Sequence, residues 1–291
     1  MGLSGATRIV GVFGWPVRHT LSPPMHQAAF DALGLDWVYV PFAVRPERLA
    51  QAVGALGALG LAGVNVTIPH KEAVVGLADE VEPEARAIGA VNTLTVLDDG
   101  RLHGMNTDAD GFLESLRLDG GIEPRGLTAA LVGTGGAGRA LAFALARGGV
   151  ERLAMINRTV EKAERLAADL RAYGARCAVE VVARGSAEER RTLAHSALLV
   201  NATSLGLRPG DPLPADPTPL PEAAAVFDTV YTPLETPLLK AAQARGLRTI
   251  PGLGMLARQG ARSFERWTGQ RPDVALMIGV LKRELEGRRP A

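Results

Sequence analysis

The sequence predicts an α/β protein of two domains, each a mainly parallel sheet flanked by helices. Three observations carry that expectation. Short apolar runs alternate with helical patterns, the order that stacks helices on a parallel sheet. The 291 residues correspond to about two domains at roughly 150 residues each. Near mid-chain, Gly133-Thr134-Gly135-Gly136-Ala137-Gly138 follows an apolar strand and opens a helix, as at the start of a Rossmann-type unit.

The elements follow in order. Arg8 to Gly14 reads as a buried strand, and Pro24 to Gly34 as a helix with a glycine stop. Asp36 to Phe42 is a second strand, Pro46 to Gly60 a helix, and Leu61 to Ile68 a third strand. Pro69 then stands where a helix can open, because proline's missing N–H costs nothing there. Ala90 to Leu97 and Arg101 to Met105 flank the turn Asp98-Asp99-Gly100 as two strands. A helix from Asp110 to about Leu118 leads out of this domain. The second unit has strands at Leu127–Gly133, Arg152–Ile156, Ala197–Asn201 and Ala224–Asp228, with helices at Arg139–Arg147 and Glu161–Tyr173. Six prolines between Arg208 and Pro221 mark a loop, either a lid or an inert excursion. With the second sheet expected to be complete by then, helices Met255–Thr268 and Pro272–Glu286 should pack on the first domain. The domains are thus 1–108 with 255–291, and 109–254.

Composition narrows the function. Hydrophobic residues make up 47% and charged residues 22%, ordinary for a globular chain. A formal net charge of +1 gives no field to recruit nucleic acid or a membrane surface. The N-terminus shows no signal-peptide pattern and no run is long enough to span a bilayer, so a cytoplasmic protein acting on a small molecule is expected. The single cysteine, Cys177, excludes an internal disulfide and lacks a His–acid partner for nucleophilic work. The five histidines show no metal-ligand spacing, so no metal is expected. His70 reads as a neutral helix-surface residue.

The glycine loop fits G-x-G-x-x-G in its proper setting, strand before and helix after. Its glycines permit a tight turn and close approach of a pyrophosphate to the helix N-terminus. At the end of the next strand an NAD enzyme usually carries an acid for the ribose 2′-hydroxyl. Here stand Asn157-Arg158-Thr159, with Lys162 a turn later. A guanidinium clamps a 2′-phosphate that an acid would repel, so the cofactor is NADP.

Polar residues collect at strand ends of the first domain, where open α/β sheets bind ligands: Thr20, Ser22, Asn65, Thr67, Asn92, Asn106, Thr107 and Asp108. Taken singly, each is explained by a cap or a turn. Lys71 is not. Of 32 basic residues only four are lysines, and this one falls in the first turn of the helix expected after Pro69, where the macrodipole disfavours a cation. Lysine can give up a proton when desolvated and arginine cannot, which suits acid–base work at a carbonyl.

Nine segments then carry a resemblance: HTLSPPMHQAAF, GVNVTIPHKE, IGAVNT, GMNTDADGF, LVGTGGAGRA, INRTVEKA, NATSLG, VYTPLETPLL and PGLGMLARQGARSF. In order and spacing the chain resembles the shikimate dehydrogenase family, NADP-linked enzymes that interconvert 3-dehydroshikimate and shikimate in aromatic amino-acid biosynthesis. The resemblance implies an active site in the cleft between the two domains. It implies Lys71 and Asp108 as the catalytic pair, the lysine as acid–base group and the aspartate positioning it and the substrate. Thr20 and Ser22 match hydroxyls for the substrate carboxylate, with Tyr231 nearby. Thr67, Asn92 and Gln259 match residues that bind ring hydroxyls. Gly133 to Gly138 and Asn157-Arg158-Thr159 match the cofactor site, Thr203 a cofactor-proximal strand end, and Gly252 and Met255 positions beside the nicotinamide. Thr20 departs from the usual serine and Thr134 from the commoner alanine. The rival readings are a quinate/shikimate or aminoshikimate dehydrogenase, and a catalytically silent dinucleotide-binding regulator. The expected assembly is a monomer or a homodimer.

Overall fold

The computed structural model describes residues 3–287. They form two compact units: the chain up to Thr107 together with the chain from Ala257 onward, and Asp108–Leu256. The last four residues of the segment 255–291 assigned to the first domain lie outside the described residues.

The first unit contains β1 (Arg8–Gly14), β2 (Trp37–Ala43), β3 (Leu61–Val66), β4 (Glu80–Val81), β5 (Thr93–Val96) and β6 (Leu102–Met105), in the order β2-β1-β3-β5-β6-β4. The sheet is parallel across β2-β1-β3 and turns antiparallel at β5 and β6. The β5–β6 pairing has a local cause: the two strands are joined by the short turn at Gly100 (φ +83°), and strands joined by a hairpin must run opposite ways.

The helices of this unit's N-terminal part are α1 (Ser22–Ala32), α2 (Leu49–Gly54) and α3 (Pro83–Ile88). Two expectations change. The helix drawn from Pro46 to Gly60 is one turn of 3-10 helix, Pro46–Arg48, followed by the short α2 and turns ending at Gly60 (φ +70°). Pro69 does not open a helix. The Ile68–Pro69 bond is cis, the chain turns through residues 68–72, and only a 3-10 helix follows at Ala73–Leu77. The argument from a helix N-terminus at Lys71 therefore falls away.

One face of the sheet buries an aliphatic cluster that includes Val53, Leu56, Val64, Val74 and Leu94. Aromatic rings of α1 and β2 meet those of α9 (Leu253–Thr268): His26 stacks on Tyr39 with centroids 4.3 Å apart, and Phe30 stacks on Phe264 at 4.8 Å. Trp267 joins them because β3 has a glycine beneath it. A Cβ at Gly63 would lie 2.4 Å from the indole nitrogen. That nitrogen donates to Leu94 O at 3.1 Å. α10 (Val274–Gly287) packs along α1.

The second unit runs α4 (Asp108–Leu118), β7 (Thr128–Val132), α5 (Gly136–Arg147), β8 (Arg152–Asn157), α6 (Val160–Ala172), β9 (Ala178–Ala183), α7 (Ala187–Ala194), β10 (Leu198–Asn201), β11 (Ala225–Asp228), α8 (Pro237–Gln243) and β12 (Arg248–Pro251). Its sheet, ordered β12-β11-β10-β7-β8-β9, is parallel throughout. The order reverses between β7 and β10, the switch point where such sheets bind dinucleotides. β12 adds a strand beyond those expected, and the sheet ends with it before α9 begins. The prolines of Arg208–Pro221 are pinned rather than lid-like. Arg184 donates to Leu213 O at 2.6 Å, Arg245 donates to Pro217 O and Leu220 O, and Ala215 and Leu220 are buried in the core. Among the described residues, no helix is long and apolar enough to cross a membrane.

Candidate functional site

Within the first unit, the predicted residues gather at one end of the sheet. Thr20 lies in the loop after β1, and its hydroxyl accepts from Ser22 N at 3.3 Å where α1 begins. Thr67 follows β3, tied by its N–H to Phe13 O at 2.9 Å. Among the described residues the Ser22 and Thr67 hydroxyls have no hydrogen-bond partner. The Thr20 hydroxyl donates to none. Lys71 is half-buried in the turn after the cis proline, and its carbonyl accepts from Val91 N at 2.8 Å, which ties it to the segment that carries Asn92 into β5. His70 is not on a helix surface: it is buried, with Nε2 2.7 Å from Val44 O.

Asn92 is 1% exposed and anchors a polar network. Its Oδ1 accepts from Thr107 N at 2.8 Å and from Thr93 Oγ1 at 3.0 Å. Its Nδ2 donates to Thr107 Oγ1 at 2.9 Å and, more weakly, to Gln259 Oε1 at 3.3 Å. Sequence reading noticed Asn65 but gave it no role, and missed Ser263. Asn65 Nδ2 donates to Ser263 Oγ at 2.8 Å and to Asn92 O at 3.2 Å, while its Oδ1 accepts from the Tyr39 hydroxyl at 2.8 Å. Ser263 lies one turn beyond Gln259, and its hydroxyl donates to Gln259 O at 3.1 Å. That spacing on one helix face was the available signal.

In the second unit, Gly133 has φ +97°, and a Cβ on Gly138 would stand 2.1 Å from Gly133 O. The helix start is thus pressed against the strand end, as glycine alone allows. A Cβ on Gly135 would meet nothing within 4 Å, which leaves open space above the start of α5. α5 has no side-chain cap, whereas α7 and α8 are capped by Ser186 and Thr236. Its first N–H groups are left for an anion, which the helix dipole also favours. Among the described residues the Thr134 hydroxyl, buried in this loop, has no partner. Gly136 and Ala137 open α5.

Asn157 ends β8 and its amide donates to Thr159 O at 2.8 Å, shaping the turn that exposes Arg158. Lys162, also exposed, sits in the first turn of α6. Thr203 stands against the loop: its Cγ2 would be 2.7 Å from a Cβ at Gly133. Asp108 is buried at the start of α4, Tyr231 is half-buried after β11, and Gly252 and Met255 are buried after β12. Cys177 is half-buried, and burial pushes its thiol up, against nucleophilic use. A recess of about 290 Å³ between α7 and the proline-rich segment, lined by residues such as Arg184, Arg190 and Leu213, contains none of the predicted site residues. Among the described residues, no group of His, Cys, Asp or Glu is arranged to hold a metal ion.

A parallel sheet with its switch point at an uncapped, glycine-cradled helix, in one chain with a unit that gathers unbonded hydroxyls, bonded amides and a lysine at one sheet end, defines a pyridine-nucleotide-dependent oxidoreductase acting on a small polar alcohol or ketone. Comparison with known proteins narrows this. Residues 12–94 match the family model of the shikimate dehydrogenase substrate binding domain, 122–189 that of shikimate / quinate 5-dehydrogenase, and 252–282 that of the shikimate 5′-dehydrogenase C-terminal domain. The shikimate dehydrogenase (NADP(+)) of Symbiobacterium thermophilum is 48% identical over 97% of this chain and 96% of its own. Among solved structures, shikimate 5-dehydrogenase from Thermus thermophilus, in complex with NADP(H) and shikimate, is 41% identical with a TM-score of 0.84, covering 95% of this chain and 99% of that one. Quinate dehydrogenase from Corynebacterium glutamicum, in complex with NAD, is 33% identical with a TM-score of 0.87, covering 95% and 99%. The chain belongs to the shikimate dehydrogenase family.

Proposed function

We propose that this chain reduces 3-dehydroshikimate to shikimate with NADPH, reversibly, in the biosynthesis of aromatic amino acids. The observation that carries the reading is the set of unspent donors at one end of the first unit's sheet. The Ser22 and Thr67 hydroxyls have no partner among the described residues, and Thr20 has a proton to give. Hydroxyls left unbonded at a strand end suit a ligand rich in oxygen acceptors.

Thr20 and Ser22 hold the ring carboxylate. Thr67, Asn92 and Gln259 hold the ring hydroxyls, and the long Asn92–Gln259 bond is the one a substrate hydroxyl replaces at least cost. Asn65 and Ser263 hold Asn92 and Gln259 in place. In the second unit, the α5 N-terminus and residues Gly133–Gly138 take the pyrophosphate, Arg158 and Lys162 the 2′-phosphate, and Thr203, Gly252 and Met255 the nicotinamide end. When bound, the reduced nicotinamide supplies the hydride that reaches the ring carbonyl carbon. Lys71 delivers a proton to the carbonyl oxygen as it becomes an alkoxide, and its positive charge stabilises the charge that develops there. Asp108 is the acidic residue assigned to the same step.

A quinate enzyme on NAD would carry an acid where β8 ends, and this chain has Asn157-Arg158. The test is spectrophotometric: reduced cofactor is followed with shikimate or quinate, each paired with NADP or NAD. Shikimate with NADP should be strongly preferred. Reduction with no pair would overturn the reading in favour of a silent nucleotide-binding protein. Lys71→Ala should lower kcat by about 100-fold with little change in KM.

A further inference from the structure

Asp228 closes β11 with a carboxylate that is 0% exposed. One oxygen accepts from Asn201 Nδ2 at 2.8 Å and Val230 N at 3.0 Å, and the other from the Thr236 hydroxyl at 2.6 Å. Among the described residues no lysine or arginine pairs with it. Burial raises its pKa while these three donors pull it back. Asn201 passes the link onward, its Oδ1 accepting from Thr203 N at 3.0 Å and from the Thr203 hydroxyl at 2.7 Å.

Hydrogen bonding alone does not require a charge here. An amide would keep one oxygen for Asn201 and Val230 and turn its NH2 toward the Thr236 oxygen. That oxygen already accepts from Leu239 N at 3.2 Å and has a second lone pair. Burying a carboxylate without a cation is costly, so the charge has an effect its geometry does not account for. Its location indicates which. Gly252 rests on the end of β11: a Cβ there would lie 2.7 Å from Asp228 O and 2.5 Å from Thr229 O. Gly252 and, three residues on, Met255 are the positions assigned above to the nicotinamide end of the cofactor.

We propose that the buried charge of Asp228 makes the nucleotide site favour oxidised NADP, whose nicotinamide ring is positive, over reduced NADP, whose ring is neutral. The proposal rests on the placement of the nicotinamide beside Gly252. The pyrophosphate and 2′-phosphate are the same in both forms and cancel in the ratio of affinities. What remains is the attraction of one buried negative charge for one positive ring in a medium of low dielectric. The preference holds the oxidised product back after each reductive turnover.

Isothermal titration of the full chain with oxidised NADP, reduced NADP and 2′,5′-ADP, which has no nicotinamide, tests this. Asp228→Asn should weaken oxidised NADP about 5-fold or more relative to reduced NADP and leave 2′,5′-ADP unchanged. Asp228→Ser, also neutral, should shift the ratio the same way and serves if the asparagine variant does not fold. An unchanged ratio in a folded neutral variant overturns the proposal. Met255→Ala separates this from the placement it rests on, because it trims the side chain there without driving one into the end of β11, as any side chain at Gly252 would. Selective loss of oxidised NADP, with 2′,5′-ADP retained, supports the nicotinamide at Gly252 and Met255. If that variant binds both as the native chain does, the placement fails and the proposal with it.

Discussion

Lowering the pH from about 7.5 to about 5 should weaken the fold by about 2 kcal/mol through one residue, His26. Its imidazole is 0% exposed, stacked on Tyr39 and set among Phe30, Phe264 and Trp267, and among the described residues neither ring nitrogen has a hydrogen-bond partner. Desolvation pushes its pKa down from 6.5 to about 3. The unfolded chain takes up a proton near pH 6.5 that the folded chain refuses until about pH 3. Stability is therefore complete above about pH 7.5, falls as pH drops through 6.5, and stops falling on this account below about pH 3. At about pH 5 the shortfall is one and a half decades of proton binding, about 2 kcal/mol at about 1.4 kcal/mol per decade. Urea unfolding at both pH values measures it, as a loss of about 1 M in the midpoint of the first unit. Other groups titrate over the same range, so the comparison is with His26→Phe, which keeps a stacked ring and has no proton to take. His26→Leu serves if the larger ring does not fit against Gly260. The native chain should lose about 2 kcal/mol more than the variant between the two pH values. Equal losses would refute the account.

Four further outcomes are expected. Gly138→Ala drives a methyl into Gly133 O, so thermal unfolding should shift down by about 5 °C or more and affinity for oxidised NADP should fall. Arg158→Ala should raise KM for NADP by about 10-fold or more and leave KM for NAD nearly unchanged, since a charged hydrogen bond contributes about 1.5–3 kcal/mol. Equal effects on both nucleotides would remove the 2′-phosphate assignment. Asn65→Ala leaves the buried Tyr39 hydroxyl and Ser263 short of a partner, and should lose about 2 kcal/mol in urea unfolding and raise KM for shikimate. Tyr39→Phe with Asn65→Ala should lose less than the sum of the two, because they share that bond.

Strands with apolar runs were legible in the sequence to within a residue or two, β1, β7 and β8 among them, because burial on both faces leaves a plain signature. β9 was missed. It is an edge strand whose Ala-Val-Glu-Val-Val-Ala run is mostly exposed or half-exposed, so it carries little apolar signal. α8 and β12 were missed as well: α8 is only 7 residues long, and β12 (Arg-Thr-Ile-Pro) has a single buried residue, whereas the equally short β10 and β11 are buried throughout and so were read. The turn at Ile68–Pro69 misled for a physical reason: proline opens helices and also takes the cis bond, and nothing local decides between them. At the site, residue types and their order were readable, while the interlocking of Asn65, Asn92 and Ser263 depends on which strands pair with which. The charge of Asp228 could be read at once, but not its burial.

The first unit is interrupted in sequence, and that sets a timetable for its assembly. Trp267 and Phe264 complete the aromatic stack around His26, yet Asp108–Leu256 must be synthesised before they emerge. At about 5–20 residues per second this is on the order of ten seconds, during which α1 and β2 have their ring faces uncovered. The second unit is continuous and needs no such wait. A nascent chain halted before Ala257 should hence hold nucleotide before it can bind the ring acid, with the faces of Phe30 and Tyr39 open to chaperones.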